Sequence, residues 1–203
     1  MNDGFSEVER WRMSKLHNRE NWENAVGEGK ADEKMLSLCN YINSTRDFFT
    51  SSGCAGRIML LGLYGKGTKE ESYFHRKWHR AVKFAELWDG LAAKSKGTLW
   101  FKMEPFIIHI GTHDIGNTNL LLDVMRNAGV KRGGIIVAKK GKCIAEFVGT
   151  QNISLPVKKG AKILIEKQYL KQILDEANSK LKKNYELLKR LERSLKEKLK
   201  CGV

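Results

Sequence analysis

Leu174, Leu181, Leu188 and Leu195 stand seven residues apart, and Ala177 and Leu191 fill intermediate positions of the same stripe. That spacing predicts one long amphipathic helix over 167–200. A helix with a single apolar stripe must be covered along it by other parts of the chain, so this segment is a packing surface for the rest of the fold. Its other faces are basic, with nine Lys or Arg against three Glu between Lys180 and Lys200. Such a run is either a solvated face or an RNA-contacting one.

The segments ahead of it alternate in type. Phe5, Val8, Trp11 and Leu16 recur at helical spacing up to about Asn24. Asp32 reads as the N-cap of a second helix with Met35, Leu36, Leu38, Cys39, Ile42 and Phe49 on its apolar face. That helix leads directly into FFTSSGCAGR at 48–57, which reads as a turn built of small residues. Ile58 to Leu63 reads as a buried strand and GLYGKGTKEES as a loop, with a helix then expected from Trp78 to Ala93. The later segments GTLWFKM, PFIIHIG, GGIIVAK, KCIAEFVG and ISLPV have strand composition. Between them 117–127 reads as a helix that Gly129 closes. These elements give one domain over 1–203, of α/β composition and α+β type.

Charge narrows the choice of partners. The 37 Lys and Arg against 23 Asp and Glu leave a net charge of +14, which favours polyanions. The cysteines at 39, 54, 143 and 201 form no C-x-x-C pair, which argues against a zinc ribbon or a disulfide framework and fits a reduced, cytoplasmic setting. No apolar run reaches membrane-spanning length and the first residues contain no apolar signal core. The expectation is therefore a protein that meets no membrane.

Several segments are candidates for chemistry. GLYGKG follows a strand, but its glycine spacing and the polar residues after it do not suit a dinucleotide site, so a Rossmann fold is not expected. His75 and His79, then His109 and His113, are spaced by four, which suits a metal only on a helix; His109 lies in a strand-like run, and no metal site is assigned. Glu104 and His109 are polar positions in otherwise apolar strands, interrupted by Pro105. Each is open to two readings, a site residue or a satisfied strand residue. Cys54, three residues from Arg57, is either a nucleophile or a small lining residue.

TSSGCAGRI at 50–58, Lys77-Trp78-His79, EPFIIHI at 104–110, AGVKRGGI at 128–135, SLPV at 154–157 and EANSKLKKN at 176–184 occur together and in order. In that order and spacing the chain resembles the tRNA wybutosine-synthesizing protein 3 family, in its short archaeal-like form, over about residues 10–190. It departs from the family in having Gly53 where a second serine usually precedes the cysteine, and in Glu28-Gly29-Lys30-Ala31-Asp32 where the family has K-G-x-V-D. The resemblance implies a mixed α/β body with a barrel-like sheet, built either as one unit or from two related halves.

It also implies an S-adenosyl-L-methionine-dependent methyltransferase acting on tRNA(Phe). The implied target is N4 of the tricyclic 7-aminocarboxypropyl-demethylwyosine base at position 37, beside the anticodon. On that footing Ser51, Ser52, Cys54 and Gly56 become cofactor-binding candidates, with Arg57 as a clamp for a carboxylate or phosphate. Trp78 becomes a stacking surface. His109 and His79 become proton acceptors, with Glu104 orienting the substrate or a histidine. The basic surface would hold the anticodon stem-loop. Two other readings compete, a non-catalytic basic RNA-binding protein and a metal-dependent hydrolase.

Overall fold

The computed structural model describes residues 6–66 and 68–199. Phe5, Gly67, Lys200 and Cys201 lie outside the described residues. In chain order the elements are α1 (Glu7–Gly27), α2 (Leu36–Ser44), β1 (Phe48–Cys54), β2 (Arg57–Leu63), β3 (Ser72–Trp78), α3 (Phe84–Ala92), β4 (Thr98–Glu104), β5 (Ile107–Thr112), α4 (Ile115–Asn127), β6 (Arg132–Lys139), β7 (Lys142–Val148), β8 (Ile153–Lys159), β9 (Lys162–Ile163) and α5 (Lys167–Lys198). The α+β class and the long carboxy-terminal helix are as expected. The β structure is two separate antiparallel sheets, ordered β1-β5-β7-β6 and β3-β2-β4-β8-β9, and neither closes into a barrel. With no parallel pair in either, a Rossmann unit is excluded.

Contacts divide the chain into two compact units, each holding one sheet. The first comprises the described residues up to Ala55, Phe106–Thr150 and the chain from Glu186 on. Its sheet follows the period-two rule. In β5 Ile108 and Ile110 are buried, in β7 Cys143, Ala145 and Phe147 are buried, and the residues between them face the other way. Phe49 pairs in register with Gly111, and a Cβ there would lie 2.2 Å from the Phe49 ring. The missing side chain lets the ring lie flat on the neighbouring strand. Trp11 of α1 stacks obliquely on Phe49, with centroids 5.3 Å apart.

The second unit comprises Gly56–Pro105 and Gln151–Tyr185. Its core is Ile58, Leu60, Leu99, Phe101, Met103 and Val157 from the sheet, Leu87 and Leu91 from α3, and Leu170, Leu174, Ala177 and Leu181 from α5. Lys158, nearly buried, donates to the carbonyls of Leu91 and Ala93 at 2.6 and 2.7 Å, satisfying the carboxy-terminal end of α3. Along α5 the expected stripe is buried throughout, at Leu174, Ala177, Leu181, Leu188, Leu191 and Leu195, with Asn184 occupying one position of it.

Three expected boundaries move. Asp32 caps only a 3-10 turn, Glu33–Met35, ahead of α2, and that helix stops at Ser44 because Thr45 is extended (φ −74°, ψ 155°). Phe49 therefore sits on a strand, where aromatic residues are favoured. The stretch FFTSSGC is itself strand β1, and only Ala55 and Gly56 turn the corner into β2. Trp78 ends β3 and does not begin a helix; α3 starts six residues later, where the Glu86 carboxylate accepts the Lys83 N–H at 2.9 Å.

Candidate active site

The first unit brings three polar side chains into one row. His109 lies between the buried Ile108 and Ile110, and Glu146 between the buried Ala145 and Phe147, so strand alternation turns both away from the core face. Register does the rest, pairing Ser52 with His109 across β1 and β5 and His109 with Glu146 across β5 and β7. Ser52 Oγ lies 2.6 Å from His109 Nδ1, and His109 Nε2 lies 2.7 Å from Glu146 Oε2. Ser52 is exposed, and the side chains of His109 and Glu146 are 23% and 33% exposed. A hydroxyl, an imidazole and a carboxylate linked in that order can pass a proton along the row.

Ser51 sits at the irregularity where the β1–β5 register shifts between Thr50 and Ser52. A bulge there re-aims the local side chains, a common arrangement beside functional sites. Ser51 and Ser52 line a cleft of about 240 Å³ whose other walls include Asn21, Trp22, Lys30 and Asp32. Asp32 ties the end of the motif down, its Oδ2 accepting the Ala55 N–H at 2.8 Å. Cys54 is half-buried and in no disulfide. Cys39, by contrast, is buried, and burial pushes its thiol up to about 12, so it is no nucleophile at ordinary pH.

In the second unit Arg57 and Glu104 face each other across β2 and β4. Arg57 Nη2 and Nε approach Glu104 Oε2 at 3.0 and 3.2 Å, and Lys102 Nζ donates to Oε1 at 2.9 Å. Burial alone would raise the Glu104 carboxyl, but the bonds from Lys102 and Arg57 outweigh it and hold the group below the usual carboxylate range. The guanidinium also lies 4.9 Å from the centroid of the exposed Phe74 ring. Gly56 has φ +100°, and a Cβ there would meet the Glu104 carbonyl oxygen at 2.9 Å. Its conformation serves the chain's own turn. Trp78 is half-buried against the core of this unit, and His79, also half-buried, accepts the Tyr185 hydroxyl at its backbone carbonyl at 2.9 Å.

The candidate residues thus fall into two groups. Ser51, Ser52, Cys54 and His109 belong to the first unit, and Gly56, Arg57, Trp78, His79 and Glu104 to the second. The carboxylate on His109 is Glu146, while Glu104 holds two cations. Sequence reasoning missed Glu146. Its signal was present in KCIAEFV, where it interrupts an alternating apolar face as His109 does in FIIHI.

Residues 10–197 match the family described as Methyltransferase TYW3. The chain is 33% identical to a relative from Archaeoglobus fulgidus over 91% of its own length and 93% of the relative's, and 32% identical to one from Methanocaldococcus jannaschii over 87% and 92%. Both relatives are named tRNA(Phe) 7-((3-amino-3-carboxypropyl)-4-demethylwyosine(37)-N(4))-methyltransferase. Among solved structures, the PH1069 protein of Pyrococcus horikoshii superimposes with a TM-score of 0.87 at 28% identity, covering 93% of this chain and 97% of that one. A hypothetical protein of Aeropyrum pernix shares the fold, with a TM-score of 0.70 at 23% identity over 84% of this chain and 100% of that one. The matched span contains both polar groups, the cleft and most of α5, and the chain belongs to the TYW3 methyltransferase family.

Proposed function

We propose that the protein methylates N4 of the tricyclic 7-aminocarboxypropyl-demethylwyosine base at position 37 of tRNA(Phe), using S-adenosyl-L-methionine, and that both units form one catalytic domain. Membership of a methyltransferase family whose curated relatives carry that name supports the reading. The observation that carries it is the Ser52–His109–Glu146 row, exposed at Ser52, because an N–H nitrogen that gains a methyl group must lose its proton and this row can take it.

Bound S-adenosyl-L-methionine would supply a methyl already activated on a sulfonium, so the protein needs no covalent nucleophile. The donor set of the cleft suits one end of such a molecule. Ser51 and Ser52 offer hydroxyls, Lys30 a cation for a carboxylate, Asp32 an acceptor and Trp22 an aromatic face. Its volume of about 240 Å³ falls below the roughly 300–1,000 Å³ of sites that enclose a whole drug-sized ligand. Cys54, one residue beyond Gly53 of that cleft, then has no nucleophilic part to play. Arg57 holds an anion, either the cofactor carboxylate or an RNA phosphate, from a guanidinium already oriented by Glu104. Trp78 is the stacking candidate and His79 the second candidate proton acceptor.

The polyanion would meet basic surfaces at an anticodon stem-loop, in the cytoplasm. Lys182, Lys183, Lys189, Arg190 and Arg193 are exposed on α5. A second cleft of the first unit, about 550 Å³, carries Arg12, Lys15, Arg19 and Arg46 against Asp47 and Asp114. Phosphate contacts of this kind weaken as salt rises. The test is methyl incorporation from labelled S-adenosyl-L-methionine into tRNA(Phe) bearing the unmethylated tricyclic base, beside the same tRNA lacking it. Incorporation into the first alone is expected; none into either, with tRNA still bound, would leave an RNA-binding protein.

A further inference from the structure

His109 has a protein group at each ring nitrogen, Ser52 Oγ at Nδ1 and Glu146 Oε2 at Nε2. The imidazole therefore offers no nitrogen of its own to a substrate while the row is intact. The exposed end of the row is Ser52. Its other end is Glu146, which faces Gly134 across β6 and β7, where a Cβ would meet nothing within 4 Å. A carboxylate only accepts hydrogen bonds, so in the neutral ring Nε2 carries the proton, Nδ1 is the lone-pair nitrogen, and Ser52 donates to it.

From this geometry we propose that Ser52 Oγ is the atom that receives the proton leaving the substrate nitrogen, and that Glu146 is a positioning residue that fixes the His109 tautomer this requires. The inference rests on the methyltransferase reading above. In the step, the substrate N–H proton passes to Ser52 Oγ as the serine's own proton passes to His109 Nδ1. The N–H electron pair stays on the substrate nitrogen and becomes its bond to the methyl carbon, while the electron pair of the methyl–sulfur bond would stay with sulfur and the sulfonium donor would leave as a neutral thioether. The positive charge that arrives with the methyl group ends on the imidazolium, which then holds two N–H bonds, one to Ser52 and one to the Glu146 carboxylate. Ser52, placed by sequence reasoning among the cofactor contacts, becomes a catalytic residue, and His109 acts one hydrogen bond behind it.

Two readouts test this together. In ¹⁵N-labelled protein without ligands, the His109 ring signals, assigned by their loss in His109→Gln, should show a protonated Nε2 and an acceptor Nδ1. Glu146→Gln, whose amide can donate or accept, should mix the two tautomers. In single-turnover methylation, Glu146→Gln should be slower by roughly 10–100-fold, with tRNA affinity unchanged. Ser52→Ala should also be slower, and the double variant no slower than the worse single one, as expected of groups acting as a unit. An Nδ1-protonated ring in the wild type, or a Glu146→Gln rate equal to wild type, would overturn the proposal. A wild-type protein that methylates no tRNA would overturn the functional reading and with it the role of Ser52, whereas the ring spectra judge the hold of Glu146 on His109 independently.

Discussion

Each of the two sheets presents one cluster of polar side chains, and the clusters differ in what their carboxylate faces. In the first unit Glu146 meets a histidine, the side chain best suited to taking and giving a proton near neutrality. In the second unit Glu104 meets the guanidinium of Arg57 and the ammonium of Lys102. One arrangement leaves a proton free to move; the other fixes three charges in place. A strand glutamate opposite a polar cross-strand partner can therefore be part of a proton path or part of an anchor, and the partner decides which.

The two units can be broken separately. The largest effect on stability is expected from truncating the shared helix stripe, with Leu181→Ala in the second unit and Leu188→Ala in the first each losing about 2–5 kcal/mol in denaturant unfolding. If unfolding remains one cooperative transition in both variants, the units fold together. Two transitions in either variant would show that they fold apart.

Removing the anchor should cost less. Glu104→Gln leaves Arg57 and Lys102 facing a weaker acceptor and should lose about 1–2 kcal/mol near neutral pH. Because the folded-state pKa of Glu104 lies below its usual 4.5, its contribution is present above that value and disappears as pH falls through the lower folded one. Acid unfolding of the Gln variant should therefore be the flatter limb. Equal acid limbs would mean that the cluster stabilises nothing.

Cys39 gives the first unit an alkaline counterpart. Its thiol moves from an ordinary 9.0 to about 12 on folding, so the stability it contributes is whole below pH 9 and falls by roughly 1.4 kcal/mol per unit as the unfolded thiol ionises above it. Alkylation at pH 9 should mark Cys54 before Cys39. The smallest effect is expected at Lys196→Ala, which removes an exposed contact to Glu192 and should change stability by about 0.5 kcal/mol or less.

Periodicity made much of this fold legible. The α5 stripe, α4 with Gly129 at its end, and the strands containing EPFIIHI and KCIAEFV all follow from spacing within one element. Phe49 and Trp78 fall elsewhere than their spacing suggests because a short apolar run and the mixed run SYFHRKW each suit a helix or a strand by composition, and the choice depends on a partner strand elsewhere in the chain. The site divides in the same way. The motif residues Ser51, Ser52, Arg57 and His109 are visible one by one, but Glu146 joins them only through the register between β5 and β7, across 37 residues of sequence. Register is a property of pairing and cannot be read from one strand alone.

The proposal sets His109 of the first unit to proton removal and Arg57 of the second to holding an anion. Single-turnover methylation of tRNA(Phe) bearing the tricyclic base, followed as a function of tRNA and cofactor concentration, separates the two most directly. His109→Gln should lower the saturating rate by about 10²–10⁴-fold while leaving both half-saturating concentrations near wild type. Arg57→Ala should raise one of those concentrations and change the saturating rate by only a few-fold. A His109→Gln enzyme with a wild-type saturating rate, or an Arg57→Ala enzyme that binds both partners normally, would contradict the account.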